Sequence, residues 1–457
     1  MRTPICDFVE KYSQSGVLRL HMPGHKGSPF LGIEDRDITE VDGADVLYSS
    51  CGVIAESQKN ASELFGSGKT VYSAEGSSLC IRAMVQSICM YARNLGKNPF
   101  ILAARNAHKT FLSACALCDA LVEWIYPDEG EGVLSCVINA EVLEKKLLEM
   151  NPLPIALYIT SPDYLGNVSD VAALSRVCKK YGILLAVDNA HGSYLRFLTE
   201  SRHPMDMGAD ICCDSAHKTL PVLTGGAYLH ISKNAPAELY ENIENAMALF
   251  ASTSPSYLIL QSLDRANLYL SSGYREALAR LAKRLEDLKK TLCDNGFLLA
   301  GNEETKLTIV AKEHGYFGYE ISDYLRENRV ECEFSDDDYT VMMFTPEIEI
   351  ENIDRLEEIL LALPKKEKIL SRAPSTGKPK AAMSIREAMM SPYEVVSADE
   401  AKGRVLASPS VSCPPAVPII ACGEVIDDRA IECFKYYKIE KIRVVELSHL
   451  AQNKSHF

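Results

Sequence analysis

The sequence lacks any apolar run long enough to cross a membrane, and its first residues, Met1-Arg2-Thr3-Pro4-Ile5-Cys6-Asp7, lack the apolar core of a secretory leader. It also lacks an excess of basic residues: Lys and Arg number 48 against 62 Asp and Glu, a net charge of −14. Phosphate backbones need a basic face, so no nucleic acid is expected as a partner, and no membrane either. The acid excess is weakly compatible with a cationic substrate, but solubility is its simpler explanation. A disulfide framework is missing as well. The 15 cysteines are an odd count without framework spacing, and Cys80, Cys89, Cys178 and Cys212 fall in apolar patterns. That is free-thiol usage, which points to the cytoplasm. There is no internal repeat.

Complete metal and nucleotide motifs are also lacking. Gly66-Ser-Gly-Lys-Thr70 looks like the end of a P-loop, but Glu63 stands where the first glycine belongs, and the context is helix then strand. Cys115 and Cys118 form a lone Cys-x-x-Cys inside a helical pattern with no second ligand pair. His21 and His25 flank Pro23 and Gly24, so no helix aligns them. No metal is expected.

What is present is an ordinary globular composition, 47% hydrophobic and 24% charged over 457 residues, enough for two or three domains. From about residue 60 to 231, short continuous apolar runs alternate with amphipathic stretches. Strands are expected at 100–104, 121–126, 154–160, 183–187, 210–213 and 226–231, with helices at 76–95, 107–120, 140–150 and 171–181. This pattern predicts an α/β domain with a mostly parallel sheet covered on both faces. Residues 256–295 read as helical. Strand-like runs at 306–310 and 339–344, a helix near 318–328 and another over 351–363 predict a smaller α+β domain. Lys365 to Lys380 reads as a linker, and the Pro-dense run after Cys413 cannot be a central strand.

Two strand ends carry chemistry. One is Asp188-Asn189-Ala190-His191-Gly192, the other Asp214-Ser215-Ala216-His217-Lys218-Thr219. A lysine amine can form a Schiff base with the aldehyde of pyridoxal 5'-phosphate (PLP). A buried carboxylate can pair with the pyridine nitrogen and keep the ring an electron sink. Lys218 and Asp188 fit those roles. Ser215 can donate to a phosphate, and His217 stands beside Lys218 in sequence, where it can shuttle a proton. Ala190 lets a flat ring approach the backbone, and His191 either lines the pocket or is a loop histidine. Gly76-Ser77-Ser78 opens a helix whose N-terminus can hold an anion, although a serine there is ordinarily just a cap. His108 follows another strand and can stack on a ring. All four segments sit at strand C-terminal ends, where such sheets bind ligands.

These residues resemble a known family. Ser215-Ala-His217-Lys218 is similar to the Ser-x-His-Lys motif of the Orn/Lys/Arg decarboxylases, group III PLP-dependent enzymes of fold type I, the aspartate-aminotransferase fold. Leu20-His21-Met22-Pro23-Gly24-His25-Lys26-Gly27 resembles their Pro-Gly-His signature, and Thr253-Ser254-Pro255-Ser256-Tyr257 their Ser-Pro-Ser segment. The stretch Pro414-Pro415-Ala416-Val417-Pro418 resembles a Pro-Pro-Gly-Ile-Pro run, with Ala416 in place of the glycine. The phosphate turn reads Gly-Ser-Ser where Gly-Thr-Ser is usual.

The resemblance implies an N-terminal segment (1–60) serving the active site and dimer interface, and a large PLP-binding domain (61–255) with a mostly parallel seven-stranded sheet. It further implies a small α+β domain (256–364), a linker (365–380) and a C-terminal α+β domain (381–457), in a short form without the N-terminal wing domain of the large members. It implies PLP held by Gly76, Ser77, Ser78, His108, Asp188, Ala190, His191, Ser215, His217 and Lys218, with Lys218, His217 and Asp188 catalytic. The expected reaction is decarboxylation of arginine, lysine or ornithine to a polyamine-pathway amine and CO2, in a homodimer with shared active sites. Segments 20–27 and 253–257 are the expected contributions from the neighbouring subunit. An aminotransferase or other PLP lyase on the same fold, or a PLP-binding homologue without turnover, is the alternative. An aminotransferase needs an arginine to clamp the α-carboxylate, and Arg326, Arg329 and Arg355 are the ones in the small domain. The acidic run Glu331, Glu333, Asp336, Asp337 and Asp338 either meets a cationic substrate or is merely solvated.

Overall fold

The computed structural model describes residues 1–127, 132–409, 412–413 and 416–448. Pro414 and Pro415 of the Pro-Pro run lie outside the described residues. The chain begins with α1 (Pro4–Gln14), α2 (Val53–Phe65), β1 (Lys69–Ser73), α3 (Gly76–Asn94), β2 (Phe100–Ala104), α4 (Lys109–Cys118) and β3 (Leu121–Ile125). Then follow α5 (Ala140–Leu148), β4 (Ala156–Thr160), α6 (Val171–Tyr181), β5 (Leu184–Asp188), α7 (Pro204–Met207), β6 (Ile211–Asp214), α8 (Ala216–Thr219) and β7 (Ala227–Ile231). Helices α9 (Ala237–Phe250), α10 (Tyr257–Leu270) and α11 (Tyr274–Asp294) lead to β8 (Leu299–Ala300), β9 (Lys306–Val310), α12 (Gly318–Glu327), β10 (Phe334–Ser335), β11 (Tyr339–Met343) and α13 (Ile350–Leu361). The last elements are α14 (Ile385–Met390), β12 (Tyr393–Ser397), β13 (Ser412–Cys413), β14 (Val417–Pro418), α15 (Asp428–Tyr436) and β15 (Lys441–Val445).

Seven strands form one sheet in the order β1-β7-β6-β5-β4-β2-β3. Within it β7 is antiparallel to both its neighbours, β1 and β6, while the β5–β6, β2–β3 and β2–β4 pairs are parallel. The reversal fits the make-up of the connection. A parallel return usually carries a full crossover helix. The β6–β7 connection holds only the single-turn α8. Apart from the edge strand β3, which is mostly half-buried or exposed, the strands are buried along most of their length, β5 and β7 completely, as expected for a sheet covered on both faces.

Two compact units emerge, Met1–Tyr91 with Leu184–Arg280, and Ala92–Ile183 with Leu281–Phe457. In the first, Ile5, Val9, Ile54, Ala61, Phe65, Tyr72, Tyr228, Leu260 and Leu263 share one core. Helix α1 starts with a proline, which needs no N–H partner. Its next two backbone N–H groups, of Ile5 and Cys6, donate at 3.0 Å to the buried Asp264 carboxylate on α10. The carboxylate also accepts from Ser57 at 2.6 Å.

In the second unit a four-stranded sheet, β10-β11-β9-β8, carries α12 and α13. The stripe Leu281, Leu285, Leu288 and Leu292 buries one face of α11 in that core, each fully buried leucine contributing about 1.5–3 kcal/mol. The stretch read as helical over 256–295 is helical, as two helices, α10 and α11, parted near Gly273 at φ +85°. The C-terminal segment closes its own core with Leu406, Ile420, Ala430, Phe434, Ile442 and Val444.

The acidic run is taken up inside this second unit. Asp338 pairs with Lys312 at 2.8 Å, Asp337 with Lys438 at 3.4 Å and Glu331 with Arg326 at 3.3 Å. Glu333 accepts from the Tyr164 hydroxyl at 3.1 Å, and Asp336 caps its own turn at Asp338 N and Tyr339 N. These acids are committed to internal partners, which accounts for them without a cationic substrate.

Candidate active site

The first unit gathers the predicted residues at its strand ends. Strand β5 stops at Asp188, 2% exposed, whose carboxylate accepts from Ala190 N at 3.2 Å. Strand β6 stops at Asp214 and runs into α8, which carries His217 and Lys218. The Lys218 amine lies 3.1 Å from His191 Nε2, reaching the segment that follows β5. At the start of α3, Gly76 adopts φ +72° and donates its N–H to Gly225 O at 2.7 Å. That left-handed conformation is why a glycine opens this helix. Ser77 Oγ accepts from Ser215 Oγ at 2.7 Å. The phosphate-turn hydroxyl and the lysine-loop hydroxyl therefore meet beside a helix N-terminus of 19 residues' dipole.

His217 and His191 divide their roles differently from their sequence positions. His217 Nδ1 bonds Gly226 O at 2.9 Å. A carbonyl only accepts, so Nδ1 carries the proton and Nε2 keeps its lone pair. Burial pushes the His217 pKa down; the Gly226 carbonyl opposes this, and the Lys218 charge adds to it. The ring is therefore neutral at pH 7. A Cβ on Gly76 would stand 4.0 Å from His217 Cε1, which places this imidazole over the phosphate turn. The imidazole against the amine belongs to His191.

The donor set suits PLP: two hydroxyls and a helix N-terminus for a phosphate, a buried carboxylate for a ring nitrogen, and a lysine amine beside an imidazole. His108 belongs to the second unit. It caps α4, its Nδ1 accepting from Thr110 N at 3.2 Å.

Sequence reasoning passed over the anchoring of the C-terminal segment in the second unit. Arg105, just past β2, bonds Pro418 O at 3.4 Å, Ile419 O at 3.2 Å and Glu424 Oε2 at 3.2 Å, all buried. Lys109 N donates to Ala416 O at 2.8 Å. Ala416 sits at φ +85°, a left-handed conformation that favours glycine. The position where the resembled run has glycine is one whose backbone asks for it.

Two of the three small-domain arginines, Arg326 and Arg355, are engaged elsewhere. Arg326 pairs with Asp323 and Glu331, and Arg355 donates to Asn328 O. Those two therefore give no support to a carboxylate clamp of the aminotransferase kind.

These features define an α/β enzyme of the PLP fold type I class. A lysine decarboxylase of Francisella novicida superposes with a TM-score of 0.76 at 17% identity, over 97% of this chain and 81% of that one. The constitutive lysine decarboxylase of Escherichia coli superposes with a TM-score of 0.71 at 16% identity, over 97% and 82%. In sequence, residues 3–302 match the Orn/Lys/Arg decarboxylase major domain, and residues 367–443 match the C-terminal domain of the same family. The chain belongs to the Orn/Lys/Arg decarboxylase family. An arginine decarboxylase of Bacillus subtilis is 28% identical over 94% of this chain and 92% of its own. No helix among the described residues is long and apolar enough to cross a membrane.

Proposed function

We propose that this protein is a PLP-dependent decarboxylase of a basic amino acid, with arginine as the first candidate. The observation that carries the reading is the Lys218 amine, 3.1 Å from His191 Nε2, with the Asp188 carboxylate buried at the adjacent strand end. Family membership supports the reaction, and full-length similarity to an arginine decarboxylase supports the substrate. When bound, PLP supplies the electron sink that accepts the pair left as CO2 departs.

The chain's own groups do the rest. Asp188 would hold a proton on the ring nitrogen. Ser77, Ser78 and Ser215, with the α3 N-terminus, would hold the phosphate, and the His217 ring lies near the same turn through its Cε1. Lys218 is the residue that would hold the cofactor covalently, its amine standing 3.1 Å from His191 Nε2. His191 Nε2 accepts a proton from the lysine amine or returns it, so this pair is placed to deliver the proton that replaces CO2. Incubation with arginine, lysine and ornithine, assayed for CO2 and amine, tests the reading. Amine from arginine is expected. Keto acid without CO2 would replace decarboxylation by transamination.

The functional form is a homodimer on this proposal. In the first unit the stretch that carries the Pro-Gly-His motif exposes Leu18, Leu20, Phe30 and Leu31 at 77, 82, 83 and 84%. Apolar groups so exposed and so close in sequence fit a second copy of the chain. Sedimentation equilibrium should give twice the mass of the 50.4 kDa chain, and Leu20→Glu with Leu31→Glu should shift it toward monomer. A monomeric wild-type protein at micromolar concentration would remove the proposal.

A further inference from the structure

A second cluster lies in the first unit, at the root of the lysine loop. Asp214 Oδ2 is 3.0 Å from His203 Nε2 and 3.4 Å from His230 Nε2, and all three side chains are 0% exposed. Their ligand atoms fall within 4.8 Å of one another, the spacing of a metal site. The second nitrogen of His203 argues against a metal. His203 Nδ1 accepts the Met205 backbone N–H at 3.3 Å, capping α7. Nδ1 therefore carries no proton, and the proton sits on Nε2, pointing at Asp214. A metal on Nε2 would move that proton to Nδ1, against the Met205 N–H.

His230 Nδ1 lies 2.8 Å from Thr70 Oγ1, which lies 2.7 Å from Ser67 Oγ. A hydroxyl proton given to Nδ1 leaves His230 Nε2–H facing the same carboxylate. The other oxygen, Asp214 Oδ1, accepts Asn189 Nδ2 at 2.7 Å. His203 and Asn189 thus bond this buried carboxylate, and His230 Nε2–H lies 3.4 Å from it without completing a hydrogen bond. Burial pushes its pKa up, but the two imidazoles outweigh burial and hold Asp214 well below the usual carboxylate range. The other titratable groups around it are Cys80 on α3, Cys212 and Cys213 on β6, Tyr228 on β7 and Asp188 on β5. Burial pushes the thiols and the phenol up, so they stay neutral.

Asn189 is the connection to the active site. It follows Asp188 directly, is 0% exposed, and ties itself twice to the end of β6: by its backbone N–H to Cys213 O at 2.9 Å and by its side chain to Asp214. Its orientation is fixed, because flipping the amide would set Oδ1 against a carboxylate oxygen. We propose that Asp214, gripped by His203 and His230, is a positioning residue that holds Asn189, and through it Asp188, in register with the Lys218 loop. This rests on the PLP reading above, in which Asp188 and Lys218 hold the two ends of one rigid ring. Neither end can shift by much without misplacing the other.

The test compares Asp214→Asn, Asn189→Ala, the double variant and His203→Gln with the wild type. It reads PLP affinity by absorbance titration, the visible circular dichroism of bound PLP, kcat and KM separately, and the unfolding midpoint of the cofactor-free protein. Each single variant should weaken PLP binding about tenfold or more, change the dichroism of the bound cofactor and lower kcat with KM little changed. The double variant should be no worse than either single one, since both cut the same connection. Additive losses in the double variant, or unchanged dichroism and affinity in Asn189→Ala, would overturn the proposal, and so would one equivalent of zinc in the purified wild type. If Asp214→Asn fails to fold, Asn189→Ala and His203→Gln still decide. A wild-type protein that binds no PLP defeats the cofactor reading instead, an outcome seen before any variant is made.

Discussion

Lys218→Ala should lose the visible absorbance of covalently held PLP and release CO2 roughly 10⁴-fold more slowly than the wild type. The size of the effect follows from the residue's two duties. On the proposed function the amine would hold the cofactor, and together with His191 at 3.1 Å it would move protons at the reacting carbon. Alanine removes both. Lys218→Arg keeps the charge but supplies no nucleophile at neutral pH, and should fare no better. His191→Ala leaves the lysine in place and should retain the visible band while lowering kcat about a hundredfold. His217→Ala should act mainly on cofactor affinity, since its imidazole lies over the phosphate turn. Absorbance titration and single-turnover CO2 release separate the three. Lys218→Ala with wild-type turnover would end the proposed function, and loss of the band in His191→Ala would move that residue from proton handling to cofactor retention.

The division between the two histidines shows what sequence adjacency hides. His217 and Lys218 are neighbours in the chain, which suggests an imidazole beside the amine. On a helical turn, consecutive side chains diverge by about 100°, so within α8 the two point apart. The partner of Lys218 comes instead from the end of β5. Six of the seven large-sheet strands were legible because continuous apolar runs such as Leu184–Val187 have few other uses, while β1, Lys69-Thr-Val-Tyr-Ser73, offers no such run. Periodicity does not record direction, so the reversal of β7 was not legible in it. The Asp214 cluster was illegible for another reason. His203 and His230 stand in unremarkable contexts, and only pairing of β6 with β7 and the turn at α7 bring them to one carboxylate. Ala416 was visible as a departure from glycine; its backbone conformation was not.

Arg105→Met should destabilise the second unit by about 3–5 kcal/mol, because it leaves the Glu424 carboxylate buried without its cation. The guanidinium also holds Pro418 O and Ile419 O, so the Pro-rich run loses its anchor to the residue that follows β2. The cost should depend on pH, with a definite sign. Burial already raises the Glu424 pKa, and the Arg105 charge works against that rise. Without Arg105 the folded carboxyl holds its proton to higher pH, while the unfolded one titrates near 4.3. Between those values the folded state binds more protons, so stability falls as pH rises. The deficit of the variant against the wild type should therefore be smaller at pH 5 than at pH 8. Adding Glu424→Gln to Arg105→Met removes the stranded charge and should recover a large part of the loss at pH 8. Trp124, the sole tryptophan, lies with its ring 5.1 Å from the Arg105 guanidinium carbon, so urea titration followed by intrinsic fluorescence reads this anchor directly. A deficit equal at both pH values, or a double variant no better than Arg105→Met, would mean that the arginine acts through packing on Trp124 and its carbonyl bonds and not through its charge.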